Sequence, residues 1–239
     1  MPSLITAAAN PSDPPNYPTD HLRSSTRNYV VAALWLGAFA LAFVLDRPLA
    51  LWLRDTGIAH TIKSAGRLRD LAKFPGLAWC TLLLAIPLML WHPLRWRAAV
   101  FLALCALVAG INSVIKWIVG RFRPFVLPPL DQPQPFHLFP FNKGLPGLFH
   151  QTSGLSFVSG HTSLAFATSA GMAVLFSKKR WITFLAYAIA VIVLLERVGE
   201  NAHWLSDAVG GAALGIWGVA LLARFCRGNL LPQKAPLKT

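Results

Sequence analysis

The sequence predicts an all-α protein, a bundle of six transmembrane helices with an interfacial amphipathic helix between the first two spans. Three observations predict it: apolar runs close to membrane-crossing length, a scarcity of charge, and short basic turns between alternate runs. The 239-residue chain is 55% hydrophobic and 13% charged, about half the charged load of an ordinary soluble domain. Hydrocarbon offers backbone amides no partner, so runs this apolar must satisfy their own hydrogen bonds as helices. The apolar content excludes a disordered chain, and three cysteines are too few for a disulfide scaffold. A net charge of +13 would suit nucleic acid in a polar chain. In one this apolar it points to no nucleic acid, but to a membrane and to anionic lipids or phosphates.

The elements follow in order. Residues 1–28 are polar and proline-rich (NPSDPPNYPTDH) with no basic start before an apolar stretch, and read as a disordered cytoplasmic tail rather than a signal peptide. The membrane domain covers 29–226, and 227–239 form a second cytoplasmic tail. Spans run over Tyr29–Leu45, Leu77–Trp91, Ala98–Val119, Thr162–Ser177, Trp181–Leu195 and Ala208–Ala223, several borrowing flanking residues to reach about 20. Pro87 should kink the second. Cys80, Cys105 and Cys226 lie in or beside these runs with no ligand spacing, as small buried hydrophobes do. The small residues Gly210, Gly211 and Gly215 of the sixth run suit close helix packing.

Short basic turns set the orientation. His92-Pro-Leu-Arg95-Trp-Arg97, Lys178-Lys179-Arg180 and the Arg224/Arg227 exit are retained in the cytoplasm. Both termini are then inside, and the long connections 46–76 and 120–161 are outside. Ile58, Ile62, Ala65, Leu68 and Leu71 recur at helical spacing among Lys63, Arg67, Arg69 and Asp70, which predicts a helix lying on the outer leaflet or over the bundle mouth. The second connection is long and rich in Pro, Phe and Gly, the mark of a functional loop.

This topology sends ionisable residues to one outer layer. Lys116 lies near the end of the third span, with Arg121 and Arg123 just beyond it. Ser159, Gly160 and His161 enter the fourth, Arg197 follows the fifth, and His203 and Asp207 open the sixth. Such groups beside apolar spans are functional candidates. Lysine offers phosphate a point charge and arginine a planar fork. Lys116 and Arg123, seven apart, share a helical face if the helix continues that far, and Pro124 then ends it. Ser159-Gly160-His161 sits at a helix start, where free amides favour anions. His203 and Asp207 are four apart, so the carboxylate can hold one imidazole nitrogen and leave the other as a nucleophile or base. His161 then serves as the acid for the leaving oxygen. Taken singly, these residues are ordinary: a snorkelling cation, a capping serine, an aspartate at a helix start. Their conjunction carries the signal. His161, His203 and Asp207 could also hold zinc, but the nearby cations oppose a dication, and the site is expected to need no metal and no cofactor.

Lys116-x6-Arg123-Pro124, Ser159-Gly160-His161 and Arg197-x5-His203-x3-Asp207 together resemble the three-part signature of the type 2 phosphatidic acid phosphatase superfamily. The resemblance implies that His203 forms a phosphohistidine, Asp207 orients it and His161 is the general acid. It also implies that Lys116, Arg123, Ser159, Gly160 and Arg197 hold the phosphoryl group. Arg121 lies outside the family's fixed positions and is expected to touch a headgroup or the surface. Two positions depart from the pattern. Val158 stands where proline is usual. Glu196 stands where serine is usual, free to pair with Arg197, to pair with Lys116, or to face away.

The expected function is that of an inner-membrane lipid phosphatase acting at the outer face on a lipid phosphate or pyrophosphate. A lipid phosphotransferase using the same phosphohistidine, and a non-catalytic lipid-binding or flipping protein, remain the alternatives.

Overall fold

The computed structural model describes residues 19–90, 95–126 and 154–225. Residues 1–18 and 91–94, most of the long second connection and the C-terminal tail, with Cys226, lie outside the described residues. The chain divides into two compact units between Gly37 and Ala38. The first contributes the opening stretch of helix α1, whose side chains from Asn28 to Gly37 are largely exposed.

Eight α-helices and two short 3-10 helices (Phe74–Gly76 and Pro124–Val126) are described, the α-helices being α1 (Thr19–Asp55), α2 (Ile58–Ser64), α3 (Arg67–Lys73), α4 (Ala78–Leu90), α5 (Arg95–Val119), α6 (Gly160–Leu175), α7 (Arg180–Gly199) and α8 (Leu205–Phe225). Among the described residues the only β pairing is an isolated antiparallel bridge between Phe122 and Leu155. All six apolar runs are helical. By length and apolarity, Asn28–Asp55, Arg95–Val119, Arg180–Gly199 and Leu205–Arg224 can each cross a membrane. A fifth crossing results if Arg67–Gly76 and Ala78–Leu90, bent by 59°, act as one broken span. The protein is therefore a multi-pass membrane protein with four or five such spans. The run beginning at Thr162 yields only the 16 residues of α6, short of a crossing by that measure.

Several boundaries differ from expectation. α1 starts at Thr19, inside the stretch read as a tail, and runs through Pro48 to Asp55. The expected amphipathic helix is two short ones, because Gly66 takes φ 55° and ψ −115°, which no helix accommodates. Neither α2 nor α3 buries a residue. α5 stops at Val119 because Gly120 turns to φ 55°, so Arg123 does not continue the helical face of Lys116.

α6 is the central helix, with eleven buried residues. Its apolar face joins Ala85 of α4, Phe101, Leu104 and Val108 of α5 and Val219 of α8 in one core. Polar residues in it are paired: the Thr81 and Thr168 hydroxyls meet at 3.0 Å. α8 lies backbone to backbone against α6. A Cβ on Gly211 would sit 2.7 Å from the Ser159 carbonyl oxygen, and one on Gly215 would collide with the Ser163 carbonyl. Helix packing thus accounts for the glycines of α8. Outward side chains such as Leu34, Val44, Leu83, Phe184 and Leu195 are large, apolar and exposed, as a surface facing lipid tails requires. The Lys178-Lys179-Arg180 turn is exposed at the far end of α6 from Gly160.

Candidate active site

One end of the bundle collects the chemistry, because helix directions alternate. α5 and α7 arrive there, whereas α6 and α8 depart from it. Past Gly120 the chain runs back to meet the segment before α6, with Phe122 bridging Leu155 and the Ser156 amide donating to the Arg121 carbonyl at 2.6 Å. This stitch carries Arg121 and Ser156 under the first turn of α8.

His203 sits in the turn between α7 and α8, 2% exposed, its amide donating to the Arg197 carbonyl at 3.2 Å. Its Nδ1 lies 3.0 Å from the Ser156 carbonyl oxygen, 3.4 Å from the Ser156 hydroxyl and 3.8 Å from Asp207 Oδ2. At 3.8 Å the carboxylate acts on the ring electrostatically rather than by a direct hydrogen bond, so the Nδ1 proton goes to the Ser156 carbonyl. The Asp207 carboxylate in turn accepts from the Ser156 hydroxyl and from the Trp204 amide at 2.9 Å. Burial pushes the His203 imidazole down to about 4, Lys116 and Arg123 add to the shift, and Asp207 opposes it. A neutral ring with Nδ1–H committed leaves Nε2 as the basic nitrogen. Nε2 makes no hydrogen bond among the described residues.

The residues expected to bind phosphate lie at the same end of the bundle. Ser159 is fully buried at the N-cap of α6, its amide bonded to the Asp207 carbonyl at 3.0 Å and its hydroxyl 2.9 Å from that of Thr162. It makes no side-chain cap. Gly160 begins α6, and a Cβ there would lie 3.4 Å from Asn112 Oδ1 and 3.8 Å from Lys116 Nζ. Lys116, Gly160, His161 and Asn112 face a cavity of about 370 Å³ whose other walls include Leu77, Ala78 and Leu164. His161 stands just ahead of the apolar run of α6. Arg197, His203, Lys116 and Arg123 lie within electrostatic reach of its ring. Burial and Arg197 lower the pKa of Arg123, whose Nε is buried without a partner among the described residues.

Arg197 is 5% exposed and already engaged. Its Nε and Nη2 each lie 2.5 Å from Glu196, and Nη2 is 2.8 Å from Glu200 Oε1. Of the three courses open to Glu196, pairing with Arg197 is the one taken. Val158, in place of the usual proline, is buried and lends its carbonyl to Asn112 Nδ2 at 3.3 Å, while the same nitrogen donates to the Ser163 hydroxyl at 2.9 Å.

Arg121 corrects an expectation. It is 1% exposed, not a headgroup or surface contact. Its Nη1 donates to Asp207 Oδ1 at 2.8 Å and to Ser206 Oγ at 2.7 Å, and Nη2 donates to Asp46 Oδ2 at 2.7 Å. Asp46, Asn112, Ser156 and Ser206 were not singled out from sequence. Asp46 alone left a trace there, as a carboxylate closing an apolar run. Among the described residues no group of three His, Cys, Asp or Glu side chains could hold a metal ion.

Comparison with known proteins bears on the family and the fold. A model of the PAP2 superfamily matches residues 95–230. The chain is 36% identical over 112 residues to a lipid A 1-phosphatase of Porphyromonas gingivalis, covering 46% of this chain and 20% of that protein. It is 34% identical over 127 residues to a lipid A 1-phosphatase of Rhizobium johnstonii, covering 53% and 47%. The matches thus span less than half the length of these relatives. In fold it is similar to a transmembrane PAP2-type phosphatidylglycerolphosphate phosphatase from Bacillus subtilis, with a TM-score of 0.50 and 20% identity over 80% of this chain and 96% of that one.

Proposed function

The chain belongs to the PAP2 superfamily, and from that membership we propose that it is a membrane lipid phosphatase that releases phosphate or pyrophosphate from a lipid through a covalent intermediate on His203, without a metal. Both lipid A 1-phosphatase relatives support a lipid substrate. The observation that carries the mechanism is the buried His203 ring, its Nδ1 turned to the Ser156 carbonyl at 3.0 Å.

In the first step Nε2 attacks phosphorus. The N–P bond forms, the bond from phosphorus to the lipid oxygen breaks, and the leaving oxygen takes a proton from His161. Positive charge left on the ring is offset by Asp207, 3.8 Å from Nδ1. Lys116, Arg123 and Arg197 neutralise the phosphoryl oxygens, with Ser159 and the first amides of α6 as further donors. The arriving phosphate offsets the surrounding cations, so that the His161 ring can hold the proton it gives to the leaving oxygen. In the second step water gives a proton to His161 and attacks phosphorus, the N–P bond breaks, and phosphate leaves. The cavity at Lys116 and His161 suits the headgroup, and its apolar wall of Leu77, Ala78 and Leu164 suits the start of the tail.

In the membrane, α1, α4, α5, α6, α7 and α8 make six crossings, with α2 and α3 on the outer leaflet and the stretches before α1 and after α8 on the cytoplasmic side. The exposed Lys178-Lys179-Arg180 turn supports a cytoplasmic location for the end opposite the site, and with it a site at the outer face of the inner membrane.

The test is phosphate release from a lipid phosphate by detergent-solubilised protein. Activity in excess chelator, abolished by His203→Ala, supports the reading. Near wild-type turnover in His203→Ala overturns it. Loss in chelator that zinc restores overturns its metal-free form. Transfer of labelled phosphate to lipid, with none released, would make the protein a transferase.

A further inference from the structure

The buried stripe of α1 is Ala42, Asp46, Ala50 and Leu53, spaced as one helical face. Three of these are apolar, and the fourth is a carboxylate with 1% exposure. A lone buried charge is costly unless fully partnered. Asp46 is partnered on both oxygens: Oδ1 accepts from the Ser206 amide at 2.8 Å, and Oδ2 accepts from Arg121 Nη2 at 2.7 Å and from the Ser206 hydroxyl. The same Arg121 guanidinium reaches Asp207 Oδ1 through Nη1 at 2.8 Å. Its carbon sits 5.4 Å from the Phe43 ring centre and 4.8 Å from that of Trp204.

Asp207 is therefore held from both sides. Oδ1 faces Arg121, and Oδ2 faces the Trp204 amide and the Ser156 hydroxyl. The carboxylate cannot rotate without breaking charge-assisted bonds at either edge. Ser156, in turn, supplies the carbonyl that takes the Nδ1 proton of His203, and its own amide is tied to the Arg121 carbonyl. Backbone and side chain of Arg121 thus set both groups that orient the imidazole.

We propose that Arg121, braced by Asp46 of α1, is a positioning residue that fixes Asp207 and Ser156 and through them aims His203. This rests on the reading of His203 as the nucleophile. Neither Arg121 nor Asp46 touches the phosphoryl group; they act on how often Nε2 lies in line with it. A small misalignment of reacting atoms is enough to cost about 100-fold in rate, and the loss belongs in kcat rather than KM.

The test compares Arg121→Gln, Arg121→Lys and Asp46→Asn with wild type and with His203→Ala, measuring kcat, KM, orthovanadate inhibition and the fraction of folded protein by size-exclusion chromatography. Arg121→Gln is expected to lower kcat about 100-fold while KM and vanadate affinity stay within about twofold, because the cationic clamp is intact. Arg121→Lys, which restores one charged donor, should recover about tenfold of that loss. Asp46→Asn, which keeps the Arg121–Asp207 pair, should lower kcat by about tenfold. If Arg121→Gln does not fold, the lysine and Asp46 variants decide. Wild-type kcat per folded molecule in the variants that fold overturns the proposal, as does a loss confined to KM. If His203→Ala is inactive while these variants are unimpaired, only the positioning role falls; if His203→Ala is active, the mechanism falls with it.

Discussion

Arg197, proposed to hold the phosphoryl group, has most of its fork occupied. A guanidinium carries five N–H donors; Glu196 takes Nε and one hydrogen of Nη2, and Glu200 faces the same Nη2. On that proposal Nη1 is the edge offered to phosphate. Glu200, half-buried, is pushed up by burial, with Arg197 opposing, so the pair is bound tightly but in a place where charge is costly. Replacing Glu196 with serine should free the Nε edge and lower KM for a lipid phosphate by about tenfold, equivalent to about 1.4 kcal/mol. A raised KM would mean instead that Glu196 holds Arg197 in its working orientation. The residue identities at this site were legible because three spaced motifs fall at four helix ends. Their partners were not. Asp46 and Ser156 are 161 and 51 positions from Asp207, and nothing local marks them as members of one buried network. The fate of Arg121 was misread for a related reason: an arginine two residues from a motif position looks exposed until Gly120 turns the chain inward.

At the scale of elements, the apolar runs announced every long helix but not its ends. Their limits depend on single backbone conformations, such as Gly120 closing α5 and Gly66 separating α2 from α3. Periodicity averages over these. The most exacting contact between elements is that of α6 with α8, where Gly211 and Gly215 bring backbones together and hold the Ser159 amide on the Asp207 carbonyl. Gly215→Val places two methyl groups against the Ser163 carbonyl. It should lower stability by about 1–3 kcal/mol or more, read as a fall in the thermal midpoint of the solubilised protein. Gly110→Ala, at an open position of α5, should leave the midpoint unchanged. An unaltered midpoint in Gly215→Val would mean that the helices are less closely apposed.

Across the whole molecule, alternating helix direction brings the three motifs to one end, opposite the exposed Lys178-Lys179-Arg180 turn. That end buries the His203 imidazole, and the bundle keeps large apolar side chains on its outside. The most direct measurement is to quench a burst of turnover on lipid labelled in its phosphate and locate the label by mass spectrometry under alkaline conditions that spare phosphohistidine. A phosphohistidine mechanism predicts label on His203 in the wild type and none in His203→Ala. Label on another residue, or phosphate released in a burst with no labelled protein at any time, would contradict it.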